Sequence, residues 1–187
     1  MAKSDRSGQA AVFSPHELTL LWCELSQPYR LVTQLCYYTA ARCGEVVSLE
    51  RGDLRGDRVI FRAAKTKTRT TREAMVTAQL REAIAAVPLP GAGYIFPSGS
   101  GSGHLTVRAV DKHVRRAAEL IGVPGASTHS FRRSMATHLH TSGVSLRAIQ
   151  RVTGHASLAS LERYLDVSGI EAAGQQQRVL DSLFPVA

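Results

Sequence analysis

The chain has 187 residues, and 44% of them are hydrophobic, so it can bury a core and is not disordered overall. The formal net charge is +8, from 23 Lys and Arg against 15 Asp and Glu, which favours a polyanionic partner such as nucleic acid. No apolar run approaches the roughly 20 residues of a membrane span, and the first residues lack a signal-peptide pattern, so we expect a cytoplasmic protein without membrane partners.

The first part of the chain predicts helices. Residues 1–13 are small and polar and are expected to form a loose arm. Ser14, Pro15 and Glu17 then supply an N-cap, a proline at the first helical position and the acidic member of a capping box. Apolar residues at helical spacing follow in this helix and in a second one: Leu18, Leu21, Trp22, Leu25, Leu31, Leu35 and Tyr38.

The second helix is predicted to run from Pro28 to about residue 41, and a short helical piece to cover 45–49. The three cysteines, Cys23, Cys36 and Cys43, form no C-x-x-C pair, which argues against a disulfide framework and a structural zinc site. We expect them to be small apolar residues that fill helical segments.

The middle of the chain changes to a strand pattern. Residues 58–62 and 72–77 are predicted strands, and the polar stretch 65–71 between them is typical of a hairpin loop. Residues 78–87 are predicted to be helical. Residues 88–104 are rich in Pro, Gly and Ser and are expected to form a loop that holds one short strand or turn.

The last part of the chain is predicted to be helical again. The expected helices are 106–121, 127–142, 145–153, 157–165 and 169–184. Glycines at 122, 143 and 154 end the first three of them. No linker is long enough to separate a second domain, so we expect a single domain over 14–187, mainly α with a small antiparallel β-sheet.

Two segments of this last part combine residues that suit a phosphate. His129 and Arg132 lie three residues apart in the first turn of a predicted helix, where free N–H groups and the helix dipole favour an anion. His155 follows Gly154 at the end of the next helix, so the backbone orients it. Taken alone, a basic surface turn and a capping residue are the commoner interpretations.

Three further positions are candidates for chemistry. Tyr164 lies beside the apolar face of its predicted helix and is either a packing residue or a phenol nucleophile. Arg42 follows small residues, and Glu45 is placed either to hold its guanidinium or to form an ordinary exposed ion pair with it. Lys65, in the hairpin loop, is either a proton donor or part of a solvated turn.

The order and spacing of these elements resemble the tyrosine recombinase (phage integrase) family. The matching elements are Arg-x-x-Glu, a lysine hairpin, His-x-x-Arg, Gly-His, and a tyrosine nine residues after that histidine. Residues 128–167 resemble the family's C-terminal signature almost throughout, including Ala-Thr-His-Leu at 136–139 and Gly-Val-Ser-Leu at 143–146. The resemblance covers about residues 14–184 and implies the fold of the family's catalytic domain.

The resemblance implies a site-specific recombinase or integrase that cuts and rejoins duplex DNA. Arg42 and Arg132 would clamp the scissile phosphate, and His129 and His155 would assist them. Tyr164 would be the nucleophile and would form a 3′-phosphotyrosyl bond.

Supporting roles follow from the same resemblance. Lys65 would protonate the 5′-oxygen leaving group, and Lys67, two residues away on the hairpin, is the alternative general acid. Glu45 would support Arg42. Lys67, together with Arg69 and Arg133, is expected to contact DNA.

Such a site needs neither metal nor ATP, because two arginines and two histidines can position and neutralise a phosphate. The sequence contains no EF-hand-like acidic loop, no H-E-x-x-H and no Walker A motif, so we expect no cofactor.

The sequence departs from the family pattern at four positions. Ala40 stands where glycine is frequent, Thr153 replaces the usual leucine before Gly-His, Arg133 occupies a place where histidine is common, and Asp166 replaces a frequent histidine. Only about 13 residues precede the catalytic region, so we expect a member without the usual N-terminal DNA-binding domain.

Without that N-terminal domain, the protein would make fewer contacts to DNA phosphates, so DNA binding would be weaker, most of all at high salt. We therefore expect a dimer or tetramer on double-stranded DNA, or an accessory DNA-binding protein, to compensate. The tail 170–187 is expected to form a helix that docks either on a neighbouring protomer or on its own domain. The site of action would be the nucleoid.

Three other functions share part of this pattern. A type IB topoisomerase has the same chemistry without pairing of sites. A DNA-binding regulator, or an inactive remnant of a mobile element, would bind DNA without forming an adduct. A helix-turn-helix factor would explain the helices 127–142 and 145–153 but not the tyrosine and the two arginine elements.

Overall fold

The computed structural model describes residues 9–65, 70–99 and 103–165. Within these ranges the chain is mostly helical, with one small antiparallel sheet, which confirms the predicted fold class. The helices are α1 (Pro15–Glu24), α2 (Tyr29–Tyr38), α3 (Cys43–Val47), α4 (Ala78–Ala85), α5 (Val107–Leu120), α6 (Thr128–Thr141), α7 (Leu146–Thr153) and α8 (Leu158–Leu165). None of these described helices is long and apolar enough to span a bilayer.

Helix ends follow the capping signals of the sequence. The Ser14 hydroxyl accepts a hydrogen bond from the Glu17 backbone N–H, and the Glu17 carboxylate accepts one from the Ser14 N–H, as the capping box predicts. At the other end of α7, Gly154 has φ +67° and ends the helix in the left-handed conformation. The helix α2 is shorter than predicted because Ala40, with φ +49°, prevents its continuation.

The sheet has one strand more than the sequence predicted. The strands are β1 (Leu54–Arg55), β2 (Arg58–Phe61) and β3 (Arg72–Met75), with β2 in the centre. The strands β2 and β3 form the expected antiparallel pair, in which Phe61 lies opposite Arg72. The additional strand β1 pairs with β2 through only two residues, which is too short to give a period-two pattern.

Two hydrophobic clusters meet at α6. The larger one is formed mainly by α1, α2, α3, α5 and β2 and includes Phe131 of α6. The smaller one contains Ala136 of α6, Ile149 of α7, and Leu161 and Leu165 of α8. Residues between Phe131 and Ala136 therefore lie where the two parts of the domain join.

The segment before α1 belongs to the larger cluster, so the prediction of a loose arm is wrong for residues 9–13. Phe13 is completely buried, and its ring centroid lies 5.5 Å from that of Phe131. The Ala11 backbone N–H donates to the Gly125 carbonyl oxygen. Burial of one phenylalanine contributes about 1.5–3 kcal/mol, which offsets part of the entropy lost when this segment is ordered.

Other expectations are met in part. Cys36 and Cys43 are buried in α2 and α3 as predicted, whereas Cys23 is exposed, and all three are free thiols. The loop after α4 contains Tyr94, which forms an isolated antiparallel bridge with Glu50. The predicted helix 169–184 and the tail 170–187 lie outside the described residues.

Candidate active site

Arg132 is the buried centre of the candidate site. It lies on α6 between the two clusters and is 2% exposed. Its Nη1 donates to the Ala40 carbonyl oxygen at 2.7 Å, and its Nη2 lies 3.4 Å from His155 Nε2. Burial, assisted by repulsion from Arg42, lowers the pKa of Arg132 to about 10, so the side chain stays cationic at neutral pH.

Ala40 orients its carbonyl oxygen towards this cation through an unusual backbone conformation. Its φ of +49° is one that glycine adopts without strain and that costs an alanine roughly 1–2 kcal/mol. The position is one of those at which the sequence departs from the family pattern. The bond from Arg132 helps to hold the strained turn, and the turn in return fixes one arm of the guanidinium.

Arg42 and Glu45 form a clamp at the start of α3, as the sequence predicts. The Glu45 carboxylate accepts from the Arg42 backbone N–H at 3.0 Å and from its guanidinium Nη1 at 3.1 Å. Glu45 is 6% exposed, so this is not the ordinary exposed ion pair that was the alternative. Both the backbone and the side chain of Arg42 are therefore fixed by one carboxylate.

His155 and Tyr164 lie against each other beside Arg132. His155 follows the left-handed Gly154, and its ring centroid is 5.0 Å from that of Tyr164 on α8. The Tyr164 hydroxyl donates to the His129 carbonyl oxygen at 3.4 Å. The exposed His129 thus meets the tyrosine through its backbone at the start of α6.

The titration of both side chains reflects burial. Burial, followed by the charges of Arg132 and Arg42, lowers the pKa of His155 to about 4, so its ring is neutral at pH 7. Burial raises the pKa of Tyr164, and the charges of Arg132 and Arg133 oppose this only in part. The phenol is therefore protonated in the free protein.

Arg72 is a residue of this cluster that the sequence analysis did not single out. Its Nη1 donates to the Thr39 and Val152 carbonyl oxygens, both at 3.0 Å. Its Nη2 lies 3.8 Å from Glu45 Oε2, and its guanidinium carbon lies 4.5 Å from the Phe61 ring centroid. Arg72 thereby joins the turn before Arg42 to the end of α7, just before His155.

A signal for Arg72 exists in the sequence. In the predicted strand 72–77, side chains alternate between the two faces, and Arg72 shares its face with Ala74. Both residues are half-buried in β3, whereas Glu73 and Met75 are exposed. An arginine on the inward face of a strand needs several partners, because a buried charge without them is costly.

We expect Arg72→Met to lower the free energy of unfolding by roughly 2–3 kcal/mol, because it leaves two carbonyl oxygens without their charged donor. The matched control is Arg58→Met on the same sheet, where an exposed ion pair with Glu73 contributes less than about 1 kcal/mol. Urea unfolding measures both changes. Equal losses in the two variants would contradict a joining role for Arg72.

The Arg133 side chain is directed into the protein, which argues against the DNA contact that the sequence predicts. Its side chain is buried, with Nη1 donating to the Ala10 carbonyl oxygen at 2.6 Å and Nε donating to the Tyr164 carbonyl oxygen at 3.1 Å. A guanidinium engaged with two backbone oxygens in the interior has little surface left to offer a phosphate. Arg133 instead ties the segment before α1 to α8, which carries Tyr164.

The remaining predicted residues belong to the hairpin between β2 and β3. Lys65 ends a short 3-10 turn, Ala63–Lys65, that follows β2. Lys67 and Arg69 lie outside the described residues. The roles of these three residues remain predictions.

The neutral state of His155 makes a prediction for acid stability. The unfolded chain binds a proton near pH 6.5 and the folded chain only near pH 4, so folding loses stability as the pH falls through this window. The full shift corresponds to an upper bound of about 3 kcal/mol, which solvent around the ring reduces to on the order of 1 kcal/mol. We expect the stability of His155→Gln to fall less between pH 7 and pH 4 than that of the wild type.

Urea unfolding at several pH values measures this difference. Burial also lowers the pKa of His138, but that contribution is common to both proteins and cancels in the comparison. Identical pH dependences would show that burial and the two cations do not lower the pKa of His155 in the folded protein.

Together these residues form an anion site beside a nucleophile. Cationic Arg132 and Arg42 converge on the neutral His155 and on the phenol of Tyr164. In the ranges that the structure describes, no three His, Cys, Asp or Glu residues are grouped as metal ligands. Paired guanidiniums match phosphate oxygens in geometry and in charge.

Comparisons with known proteins find a matching family and similar folds. The sequence pattern of the phage integrase family matches residues 13–169. Tyrosine recombinase XerC of Rhodospirillum centenum is 36% identical over 145 residues, which are 74% of this chain and 42% of that protein. The chain thus spans less than half of this relative. It is also 35% identical, over 80% of its own length, to tyrosine recombinase XerC of Nitrobacter winogradskyi, of which it covers 47%.

Solved structures show the same fold. The XerH site-specific recombinase, in a pre-cleavage complex with its difH substrate, gives a TM-score of 0.66 at 22% identity, over 88% of this chain and 53% of that one. The catalytic domain of bacteriophage HP1 integrase gives a TM-score of 0.64 at 21% identity, over 89% of this chain and 95% of that one.

Proposed function

Because the chain belongs to the phage integrase family, we propose that it is a DNA strand-transferase that cuts and rejoins duplex DNA at specific sites. One observation supports this most directly. Arg132, His155 and Tyr164, which come from three different helical regions, lie within contact distance of one another, next to the fixed Arg42. A structural role alone does not require two cations beside a half-buried tyrosine.

The two arginines are assigned to the scissile phosphate. Arg42 and Arg132 would each donate to non-bridging oxygens and neutralise the charge that grows in the pentacoordinate transition state. The Glu45 carboxylate orients the guanidinium of Arg42, and the Ala40 carbonyl oxygen orients that of Arg132. Groups held in place before the reaction need no reorganisation during it.

Tyr164 is assigned as the nucleophile. A bond forms between Tyr164 Oη and phosphorus while the bond from phosphorus to the 5′ oxygen breaks. The phenol loses its proton to solvent, which nearby arginine charges favour against burial, and the leaving 5′ oxygen takes up a different proton from a general acid. The 3′-phosphotyrosyl bond keeps the energy of the broken linkage, so the reverse attack by a 5′ hydroxyl rejoins the strand.

The proton for the 5′ oxygen is assigned to Lys65, with Lys67 as the alternative. Lys65 follows β2 in a hairpin whose second strand starts with Arg72, a neighbour of Glu45 and Val152. This connection along the chain supports the assignment of Lys65 to the same site. Lys67 and Arg69 of the hairpin are assigned to the DNA backbone.

Double-stranded DNA is the partner that we infer. The structurally similar XerH site-specific recombinase is bound to its difH substrate, and the net charge of +8 suits a polyanion. We propose that recombination takes place in a dimer or tetramer on paired sites, with an accessory DNA-binding protein where a single protomer binds too weakly. The tail 170–187 would then dock on a neighbouring protomer or on its own domain.

Capture of covalently bound DNA tests this function without a known target site. The protein is mixed with fragmented host DNA at low salt and denatured in detergent, and the DNA that remains attached is sequenced. A strand-transferase yields attached fragments that share a preferred sequence. A folded protein that binds DNA and yields no attached fragment would instead be a DNA-binding regulator.

A further inference from the structure

Thr153, the last residue of α7, makes an unusual contact with His155. Its side chain is completely buried. The Oγ1 atom lies 2.7 Å from the Ile149 carbonyl oxygen and 2.7 Å from His155 Nδ1, and more distantly 3.4 Å from the Gln150 carbonyl oxygen. Both short contacts are within normal hydrogen-bond distance.

These two contacts determine which nitrogen of His155 holds its proton. The threonine hydroxyl has one proton and the Ile149 carbonyl oxygen has none, so their 2.7 Å contact requires the hydroxyl to donate to the carbonyl. The hydroxyl can then only accept from His155, and Nδ1 must be protonated. The opposite arrangement would bring two unprotonated oxygens to 2.7 Å.

An independent contact on the other side of the His155 ring supports the same tautomer. His155 Nε2 lies 3.4 Å from Arg132 Nη2. A guanidinium has donors and no acceptor, so this long contact favours an unprotonated Nε2 without enforcing it. We propose that Thr153 is a positioning residue that fixes His155 in the Nδ1–H tautomer, so that its free Nε2 accepts a hydrogen bond from Arg132.

The consequence for the reaction rests on the proposed function. A phosphate oxygen is an acceptor, so His155 can bind one through Nε2 only after this nitrogen takes up a proton from solvent. Around the ring lie Arg132 on α6, Arg42 before α3 and Tyr164 on α8, with Arg72 of β3 beside Gly154. The cations oppose this uptake in the free protein, and the negative charge of a phosphate favours it.

Leucine, which the family resemblance leads us to expect before Gly-His, offers no partner for Nδ1. The need for proton uptake at His155 Nε2 before this nitrogen can bind a phosphate therefore depends on Thr153 in this chain. With valine in its place, Nδ1 can lose its proton and Nε2 can hold one, so that the neutral ring donates to a phosphate directly.

Nitrogen NMR of the histidine rings tests the tautomer in the free protein. The resonances of His155 are assigned by their loss in His155→Gln, in protein labelled with ¹⁵N-histidine. We expect protonated Nδ1 and unprotonated Nε2 in the wild type and in Thr153→Ser, and a gain of protonated Nε2 in Thr153→Val. Protonated Nε2 in the wild type, or no change in Thr153→Val, would overturn the proposal.

The pH profile of DNA cleavage tests the consequence. In single turnovers on the captured site, we expect the rates of the wild type and Thr153→Ser to fall by roughly tenfold per pH unit on the alkaline side, as one required proton is lost. The rate of Thr153→Val should change less over the same range. Superimposable profiles of the three proteins would contradict the requirement for proton uptake by His155. Failure of all three proteins to cleave DNA would contradict the proposed function, and the NMR result would then decide the tautomer alone.

Discussion

Tyr164→Phe is expected to abolish the covalent attachment of DNA while DNA binding stays close to that of the wild type. Phenylalanine lacks the oxygen that attacks phosphorus, so no covalent intermediate can form. Its ring still packs against His155 and keeps the shape of α8. Denaturing gels of mixtures with labelled DNA measure attachment, and native gels measure binding.

Tyr37→Phe is the matched control for this variant. It also removes one hydroxyl from a half-buried tyrosine, the one that bonds to His138 Nδ1 at 2.8 Å, outside the candidate site. We expect Tyr37→Phe to keep covalent attachment. Adducts formed by Tyr164→Phe at the wild-type rate would show that another residue is the nucleophile.

Arg132→Lys is expected to lower the rate of covalent cleavage by about 10³-fold, in the range found when an arginine that stabilises a phosphoryl transition state is removed. A lysine keeps the charge but not the fork, and one ammonium cannot both bond to the Ala40 carbonyl and face His155 and a phosphate. Single-turnover cleavage at saturating DNA separates this effect from weaker binding.

The control for Arg132→Lys is Arg58→Lys, which makes the same chemical change at an exposed arginine of β2. We expect its cleavage rate to stay within about twofold of the wild type, because an exposed ion pair contributes little. Urea unfolding of both variants shows whether they are folded under the assay conditions. A loss of less than tenfold in folded Arg132→Lys would remove this arginine from the centre of the site.

Much of the local structure was predictable because its causes lie within a few residues. The capping box of Ser14 and Glu17 gives the start of α1, and Gly154 gives the end of α7. The pairing of Arg42 with Glu45 also follows from a spacing of three residues at the start of a helix. The order of the motifs, through the family resemblance, predicts which side chains lie close together in the site.

What could not be predicted depends on contacts between distant parts of the chain. Arg72 bonds to Thr39 and Val152, which are 33 and 80 residues away, and Arg133 bonds to Ala10, 123 residues away. A sequence pattern shows that an arginine is present but not whether its partners are phosphates or carbonyl oxygens. For this reason the sequence predicts a DNA contact at Arg133 and indicates no role for Arg72.

Thr153 is a departure from the family pattern whose role can be interpreted only from its contacts in the fold. In the sequence it is a polar residue in place of a leucine. In the fold it is a buried hydroxyl at hydrogen-bond distance from the imidazole beside Arg132. The choice between Lys65 and Lys67 stays a prediction, because the hairpin residues 66–69 lie outside the described part of the chain.

The most direct test of the central claim is to identify the amino acid and the DNA end that are joined in the captured adduct. After nuclease and trypsin digestion, mass spectrometry is expected to find a nucleotide on the peptide that begins at Tyr164, directly after Arg163. The bond should be to a 3′ phosphate, with a free 5′ hydroxyl on the released strand. A nucleotide on any other residue, or a bond to a 5′ phosphate, would contradict the assignment of Tyr164 as the nucleophile that cleaves DNA.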